Sequence, residues 1–269
     1  MAEVDQVIEQ GRAADPEAND STSGDAIPEI PEEAVTQHGD VFRLGWQYLL
    51  CGDARSKDVV ARLMLGSEAD LIFTDPPYNV PINGHVSGLS KTKHREFAMA
   101  LGEMSDNDFT AFLEGTLSAA ASVSKDGAIT FVCMNRRGMM PLLTAGQKVF
   151  QELKQPCVWN KSNGGMGTFY RSKHELIFVF KKGKASHTNT FGLGDTGRYR
   201  TNVWDYPGIS SMSSHRADDL ARHPTPKPVL LIKDALLDGT RRGELVLDTF
   251  AGSGSTLIAA HLCGRQLGS

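Results

Sequence analysis

The chain is poor in cysteine and has no long apolar run. Its four cysteines (Cys51, Cys133, Cys157 and Cys263) form no CxxC pair and show no ligand spacing with histidine. Neither a disulfide framework nor a metal site is therefore expected, and reduced core thiols are the ordinary reading. No stretch reaches the roughly 18 apolar residues of a membrane span, and the N-terminus carries no apolar signal region. The expectation is a cytoplasmic protein without membrane association. Residues 1–38 have almost no aromatic or periodic apolar residues, which excludes a packed core there. A disordered acidic tail or linker is expected in that part.

What is present is divided by charge. Residues 1–40 hold 11 Asp/Glu against Arg12, whereas residues 41–269 hold 27 Lys/Arg against 21 Asp/Glu, a net of +6 behind the overall −4. Residues 161–200 alone carry Lys161, Arg171, Lys173, Lys181, Lys182, Lys184, Arg198 and Arg200 against only Glu175 and Asp195. Such a stretch suits either a polyanion or a solvated loop face.

From residue 39 onward, apolar runs of strand length alternate with helical periods. Strands are expected at Gln47–Cys51, Asp70–Thr74, Ala128–Cys133, Pro156–Asn160, Glu175–Lys181 and Glu244–Asp248. Helices are expected at Lys57–Leu65 (capped by Ser56), Asp106 to about Ala121 (capped by Ser105), Met139–Phe150, Pro228–Leu237 and Ser255 to about Leu262. Residues 79–104 and 183–222 lack periodicity and read as loops. The alternation indicates an α/β fold with a mostly parallel, doubly wound sheet.

Four segments carry chemistry. In Asp75-Pro76-Pro77-Tyr78, a carboxylate and a fixed carbonyl stand side by side, followed by a flat ring. An exocyclic amine on a nucleobase is a poor nucleophile because its lone pair is delocalised. Asp75 and the Pro76 carbonyl can each accept one amine hydrogen and so favour the tetrahedral nitrogen of the transition state. Pro76 and Pro77 fix that carbonyl, and Tyr78 offers a stacking face for a base drawn out of the duplex. In Asp248-Thr249-Phe250-Ala251-Gly252-Ser253-Gly254-Ser255-Thr256, a strand runs through a glycine turn into a helix whose first N–H groups attract a carboxylate. A GxG turn without a third glycine is weak by itself. Thr225 and Lys227 precede a helix and could reach a cofactor carboxylate or ribose. Asp53 and Ala54 follow a strand end, where an acid can accept from an adenine amine. Pro156-Cys157 would suit covalent attack on a cytosine ring, but no activating base accompanies this thiol.

Together these segments resemble the DNA amino-methyltransferases that act on adenine N6 or cytosine N4, in the subgroup whose catalytic motif precedes the cofactor motif. The run from Trp159 to Glu175 is similar to phage-type orphan methylases. The resemblance covers about residues 39–265. It implies a Rossmann-like methyltransferase fold, S-adenosylmethionine as cofactor and double-stranded DNA as partner. It implies that Asp75 and Pro76 grip the amine, that Tyr78 stacks on the base, and that Phe250, Gly252 and Gly254 line the methionine moiety while Asp53 meets the adenine. Asp248, Ser255 and Thr256 complete the expected cofactor turn. Residues 161–222 occupy the place of the target-recognition region, with Lys161, Arg171, Lys173, Lys181, Lys182, Arg198 and Arg200 as expected DNA contacts. Adenine N6 is the expected target and cytosine N4 the alternative.

Two departures from the family pattern stand out. An acid for the cofactor ribose, about 20 residues beyond the glycine turn, would fall past Ser269. The C-terminal strand between Glu244–Asp248 and Gln47–Cys51 is therefore expected to be missing, leaving an open central edge. On that reading the chain is C-terminally truncated, with a homodimer or a completing fragment as further partner, or with an inactive DNA-binding remnant as the outcome. Thr249 and Ser255 also stand where Pro and Thr are usual.

Overall fold

The computed structural model describes residues 35–80, 102–165, 169–191, 200–208 and 226–269. The expected acidic tail, most of the 79–104 loop, and parts of 183–222 that include Arg198 and Thr225 lie outside the described residues. In chain order the elements are β1 (Val41–Leu44), β2 (Gln47–Leu50), α1 (Lys57–Met64), β3 (Ala69–Thr74), α2 (Asp106–Ser122), β4 (Ser124–Met134) and α3 (Met139–Val149). They continue with β5 (Glu152–Asn160), β6 (His174–Lys181), β7 (Val203–Asp205), α4 (Val229–Gly239), β8 (Leu245–Leu247), α5 (Ser255–Leu262) and β9 (Gln266–Gly268).

The strands form one sheet in the order β1-β2-β9-β8-β3-β4-β6-β5-β7. Pairings β2–β9, β9–β8, β8–β3, β3–β4 and β5–β7 are parallel. Those of β1–β2, β4–β6 and β6–β5 are antiparallel. The central strands read as continuous apolar runs because both faces are covered. Leu71, Phe73, Phe131, Cys133, Ile177 and Val179 turn to the side of α4 and α5. Their neighbours Val132, Met134, Phe178 and Phe180 turn to α2 and α3, and Ile72 meets α1 and the end of α2. The Ser56 and Ser105 hydroxyls accept the Val59 and Asp108 amides at 3.4 and 3.2 Å, which fixes where α1 and α2 begin.

The strand expected to be missing is present. Gly264 (φ +68) ends α5, and Gln266–Gly268 then runs parallel between β8 and β2. The buried Gln47 side chain donates to the Arg265 carbonyl at 3.1 Å and accepts from the Leu267 amide. The Arg265 guanidinium donates to the Thr240 carbonyl at 2.6 Å and to its hydroxyl at 3.0 Å. The open central edge is thus filled. The residue count behind the expectation locates the ribose acid, and a strand of three residues fits before that position.

Among the described residues no helix is long and apolar enough to cross a membrane, and no group of three or more side chains could hold a metal ion.

Candidate active site

Strand β3 leads through α2 to β4 on one face, whereas β8 leads through α5 to β9 on the other. The sheet therefore reverses its winding between β3 and β8, and the crevice beyond the carboxyl ends of those strands is where open α/β sheets bind ligands. Asp75 follows β3 and Asp248 follows β8. Thr74 and Thr249 tie the two strand ends together by a hydroxyl–hydroxyl bond of 2.9 Å. The unusual Thr249 thus has a structural partner.

Asp75 is held from two sides. The Tyr78 hydroxyl donates to Oδ1 at 2.7 Å, and Lys227 Nζ donates to Oδ2 at 2.6 Å. Lys227 also lies 3.3 Å from Glu175 Oε2 and 5.2 Å from the centre of the Tyr78 ring. The Tyr78 hydroxyl reaches the same Glu175 oxygen at 3.3 Å, and Lys161 pairs with Oε1. The result is an alternating row of charge, Asp75–Lys227–Glu175–Lys161, with the phenol bridging the two acids.

At Glu175 and Lys227 burial and partners oppose one another. Burial would raise the Glu175 carboxyl, but Lys227 and Lys161 outweigh it and hold it down at about 2. Burial would lower Lys227, but Asp75 and Glu175 outweigh that and keep it an ammonium. Tyr78 is pushed well up by burial and by both carboxylates, so it stays a donor.

Glu175 is the member that sequence reasoning missed. It is the second residue of β6, which runs antiparallel to β4 with Leu176 opposite Met134. Its first residues therefore lie at the edge where the parallel strands end. An acid before an apolar run gives no hint of that. Lys227, read as a cofactor contact, instead faces the two acids.

On the cofactor side, Asp248 is buried, and its Oδ1 accepts the Phe250 amide at 2.9 Å. Burial pushes its carboxyl up to about 6 against the bonds from Thr256, Phe250 and Thr74, and the nearby Asp75 charge adds to the rise. Gly252 and Gly254 have φ of +53° and +77°, the left-handed region that glycine adopts without strain. Gly254 caps α5 with no side-chain bond, and a Cβ there would meet no atom within 4 Å. Ser255 and Thr256 form the buried first turn of α5. Ser269, at the end of β9, has a buried hydroxyl without a partner. An open glycine turn, an uncapped helix start and an orphaned hydroxyl fit a cofactor that brings a carboxylate and ribose hydroxyls.

Asp53 follows β2 on the same side of the sheet, where it is gripped by Arg55 through Nε at 3.0 Å and a second nitrogen at 2.7 Å. This pair lowers the carboxyl. Ala54 lies in the turn between Asp53 and α1.

The basic stretch does not form one surface. Arg171 and Lys173 are exposed beside the β6 start, near Lys161. Lys181 and Lys182 end β6 and so lie at the opposite edge of the sheet. Lys181 lies 3.6 Å from Glu152, and Lys182 donates to the carbonyls of Ala121, at 2.6 Å, and Ser124. Arg200 stacks on Trp204 and pairs with Asp238 at 2.9 Å. The charged heads of Lys181, Lys182 and Arg200, expected to contact DNA, are thus engaged by partners within the chain itself. Cys157 is buried in β5 and its thiol is pushed up to about 12, chiefly by burial, which leaves no thiolate for covalent attack.

Comparison with known proteins agrees with this geometry. Residues 69–267 match the model of the N6/N4 methyltransferase family, described as DNA methylase. The chain is similar to DNA adenine methyltransferase YhdJ of Escherichia coli (strain K12), at 27% identity over 225 residues covering 73% of this chain and 69% of that one. It is also similar to type II methyltransferase M2.MboI of Moraxella bovis, at 26% over 213 residues and 73% of each. Among solved structures, the M1.HpyAVI–SAM complex aligns with a TM-score of 0.53 at 18% identity, covering 81% of this chain and 89% of that one. PvuII DNA methyltransferase (cytosine-N4-specific) aligns with a TM-score of 0.58 at 14%, covering 81% and 79%. At such identities these two show a shared fold.

Proposed function

The chain belongs to the N6/N4 DNA methylase family, and on that premise we propose that it methylates adenine N6 in duplex DNA with S-adenosylmethionine as donor. The observation that carries this reading is the Thr74–Thr249 hydrogen bond of 2.9 Å, which seats Asp75 and Asp248 on neighbouring strand ends, an amine acceptor on one and the glycine turn on the other. Gly252, Gly254 and the first turn of α5 would hold the donor's methionine end, with Asp53 toward its adenine and Ser269 toward its ribose. When bound, the donor supplies an electrophilic methyl on a sulfonium.

The rest falls to the chain. Asp75 and the Pro76 carbonyl accept the two amine hydrogens and draw the nitrogen lone pair out of the ring. The N–C bond forms as the C–S bond breaks, with its electron pair left on sulfur. The nitrogen becomes positive, and the anionic Asp75 stabilises that charge more than it stabilises the neutral amine. The methylated nitrogen then gives up one proton, which passes through Asp75 to water. Tyr78 would stack on the extruded base while its hydroxyl stays with Asp75. Arg171 and Lys173 are exposed at the same edge, and phosphate contacts there should make binding fall with salt.

The test is incubation of the purified chain with tritium-labelled donor and unmethylated duplex DNA, followed by digestion to nucleosides. Label in N6-methyladenine is expected. Label in N4-methylcytosine moves the target to cytosine with the same machinery, and no label in any base overturns the reading.

A further inference from the structure

Every residue in the row Asp75–Lys227–Glu175–Lys161 is charged, yet amine transfer as set out above uses only the first. Lys227 is the most deeply buried of the four, with its side chain 4% exposed. It donates to one carboxylate at 2.6 Å and stands 3.3 Å from a second. The Asp75 oxygen it occupies is one that a target amine would want. An ammonium beside Asp75 is also unfavourable once the methylated nitrogen turns positive, because the two cations repel.

We infer that Lys227 is a built-in stand-in for the target amine, and that Glu175 is the carboxylate that takes it over when a base is seated. This rests on the functional reading given above. In the base-free site Lys227 holds the Asp75 carboxylate in its orientation. On admission of the base, an amine hydrogen replaces the ammonium on Asp75, and Lys227 swings fully to Glu175 without leaving its buried position. No bond is made or broken, and only hydrogen-bond partners are exchanged. Glu175 is suited to this and not to relaying protons, since two lysines hold its carboxyl far below neutrality. Lys161 anchors the other oxygen and keeps Glu175 in place. Glu175 is thus a positioning residue that acts through Lys227.

The exchange has a signature that a structural ion pair lacks. DNA binding through phosphates precedes seating of the base, so loss of the receiving carboxylate should lower kcat and leave KM for DNA nearly unchanged. Steady-state methylation of unmethylated genomic DNA is measured for wild type, Glu175→Gln, Glu175→Asp and the double variant Glu175→Gln/Lys227→Met. For Glu175→Gln we expect kcat to fall at least tenfold, with KM for DNA and cofactor affinity within twofold. Glu175→Asp should recover a third or more of the lost rate. The double variant should be faster than Glu175→Gln alone, because no ammonium then remains trapped on Asp75. A double variant as slow as or slower than Glu175→Gln overturns the inference, as does a Glu175→Gln enzyme at wild-type kcat. Melting curves and cofactor titration establish that each variant is folded. If Glu175→Gln does not fold, Lys227→Arg decides: a guanidinium fork spans both carboxylates and keeps hold of Asp75 when the base arrives. Its kcat should fall at least tenfold with KM for DNA within twofold, and a wild-type kcat refutes the inference. A wild-type chain that methylates nothing fails the functional reading instead, which keeps the two failures apart.

Discussion

Replacing Asp75 by alanine separates the chemistry of the site from its architecture. The substitution removes one preorganised acceptor aimed at a developing charge, and a loss of that kind costs roughly 2.7–4 kcal/mol, about 10²–10³ in kcat. The Pro76 carbonyl remains, so residual activity at that level is expected. The structural cost should be smaller than for an ordinary broken buried pair, which runs to about 3–5 kcal/mol when the surviving charge is orphaned. Here Lys227 keeps Glu175 at 3.3 Å and Tyr78 keeps the same carboxylate at 3.3 Å. A loss of about 1–2 kcal/mol follows, and for a domain of this size roughly 2–4 °C in Tm per kcal/mol. The glycine turn does not touch Asp75 directly, so donor affinity should stay within about threefold by titration calorimetry (roughly 0.6 kcal/mol). Single-turnover methyl transfer and thermal melting complete the assay. A variant with kcat within fivefold of wild type would refute the assignment of Asp75.

Asp248 should give the protein an unusual pH dependence. Its folded value of about 6 lies above its ordinary value of 3.8, so the folded state holds a proton that the unfolded state releases between those limits. Stability should therefore fall as pH rises from 4 to 6, by about 3 kcal/mol for a shift of this size. Asp248→Asn, which keeps an acceptor for Phe250, should flatten that slope in urea titrations, and an unchanged slope would assign it elsewhere. Glu175 acts in the other sense and lower down, where its depressed value stabilises the fold above about 4.5 and is lost as pH falls towards 2. Gly254→Ala should cost only about 1–2 kcal/mol of backbone strain, since its Cβ would meet no protein atom. It should nonetheless weaken donor binding at least tenfold (about 1.4 kcal/mol) by projecting into the cradle, and unaltered affinity would place the donor elsewhere. Gln47→Leu orphans the Arg265 carbonyl and the Leu267 amide, each worth about 1–3 kcal/mol when buried. Hydrogen exchange at Leu267 should then speed up far more than at Ile72 in the sheet centre.

The parts of this fold legible in the sequence are those whose pattern is local. The run ending in Pro76-Pro77 marks β3 and its exit because no helix can continue through two prolines. The glycines at 252 and 254 mark the turn before α5 for the same kind of reason. Strands β1, β7 and β9 have three or four residues each, too few for a period to show; β1 pairs with the adjacent β2, whereas β7 and β9 are fixed by partners far away in the chain. For β9 those partners are the Gln47 side chain and strand β8. The basic stretch misleads because composition ignores direction. β6 carries its first residues to the active edge and Lys181 and Lys182 to the other, so neighbours in sequence face opposite ends of the sheet. Glu175 was hidden by the same fact in reverse.

Motif order, which marks the subgroup, has no bearing on how the site is assembled. Thr74 and Thr249 are 175 positions apart and in hydrogen-bond contact. What joins them is the reversal of winding between β3 and β8, which brings any two βα turns at that point to one crevice whichever is translated first. A chain with the two halves exchanged would keep the same pairings of β3 with β8 and β4. The constraint on order lies instead in the crossovers. α2 must return on one face and α5 on the other, and each connection is right-handed only if its strands follow in the observed direction. The amine grip and the cofactor turn are therefore held together by sheet topology, and the two threonines lock a contact that the topology has already made.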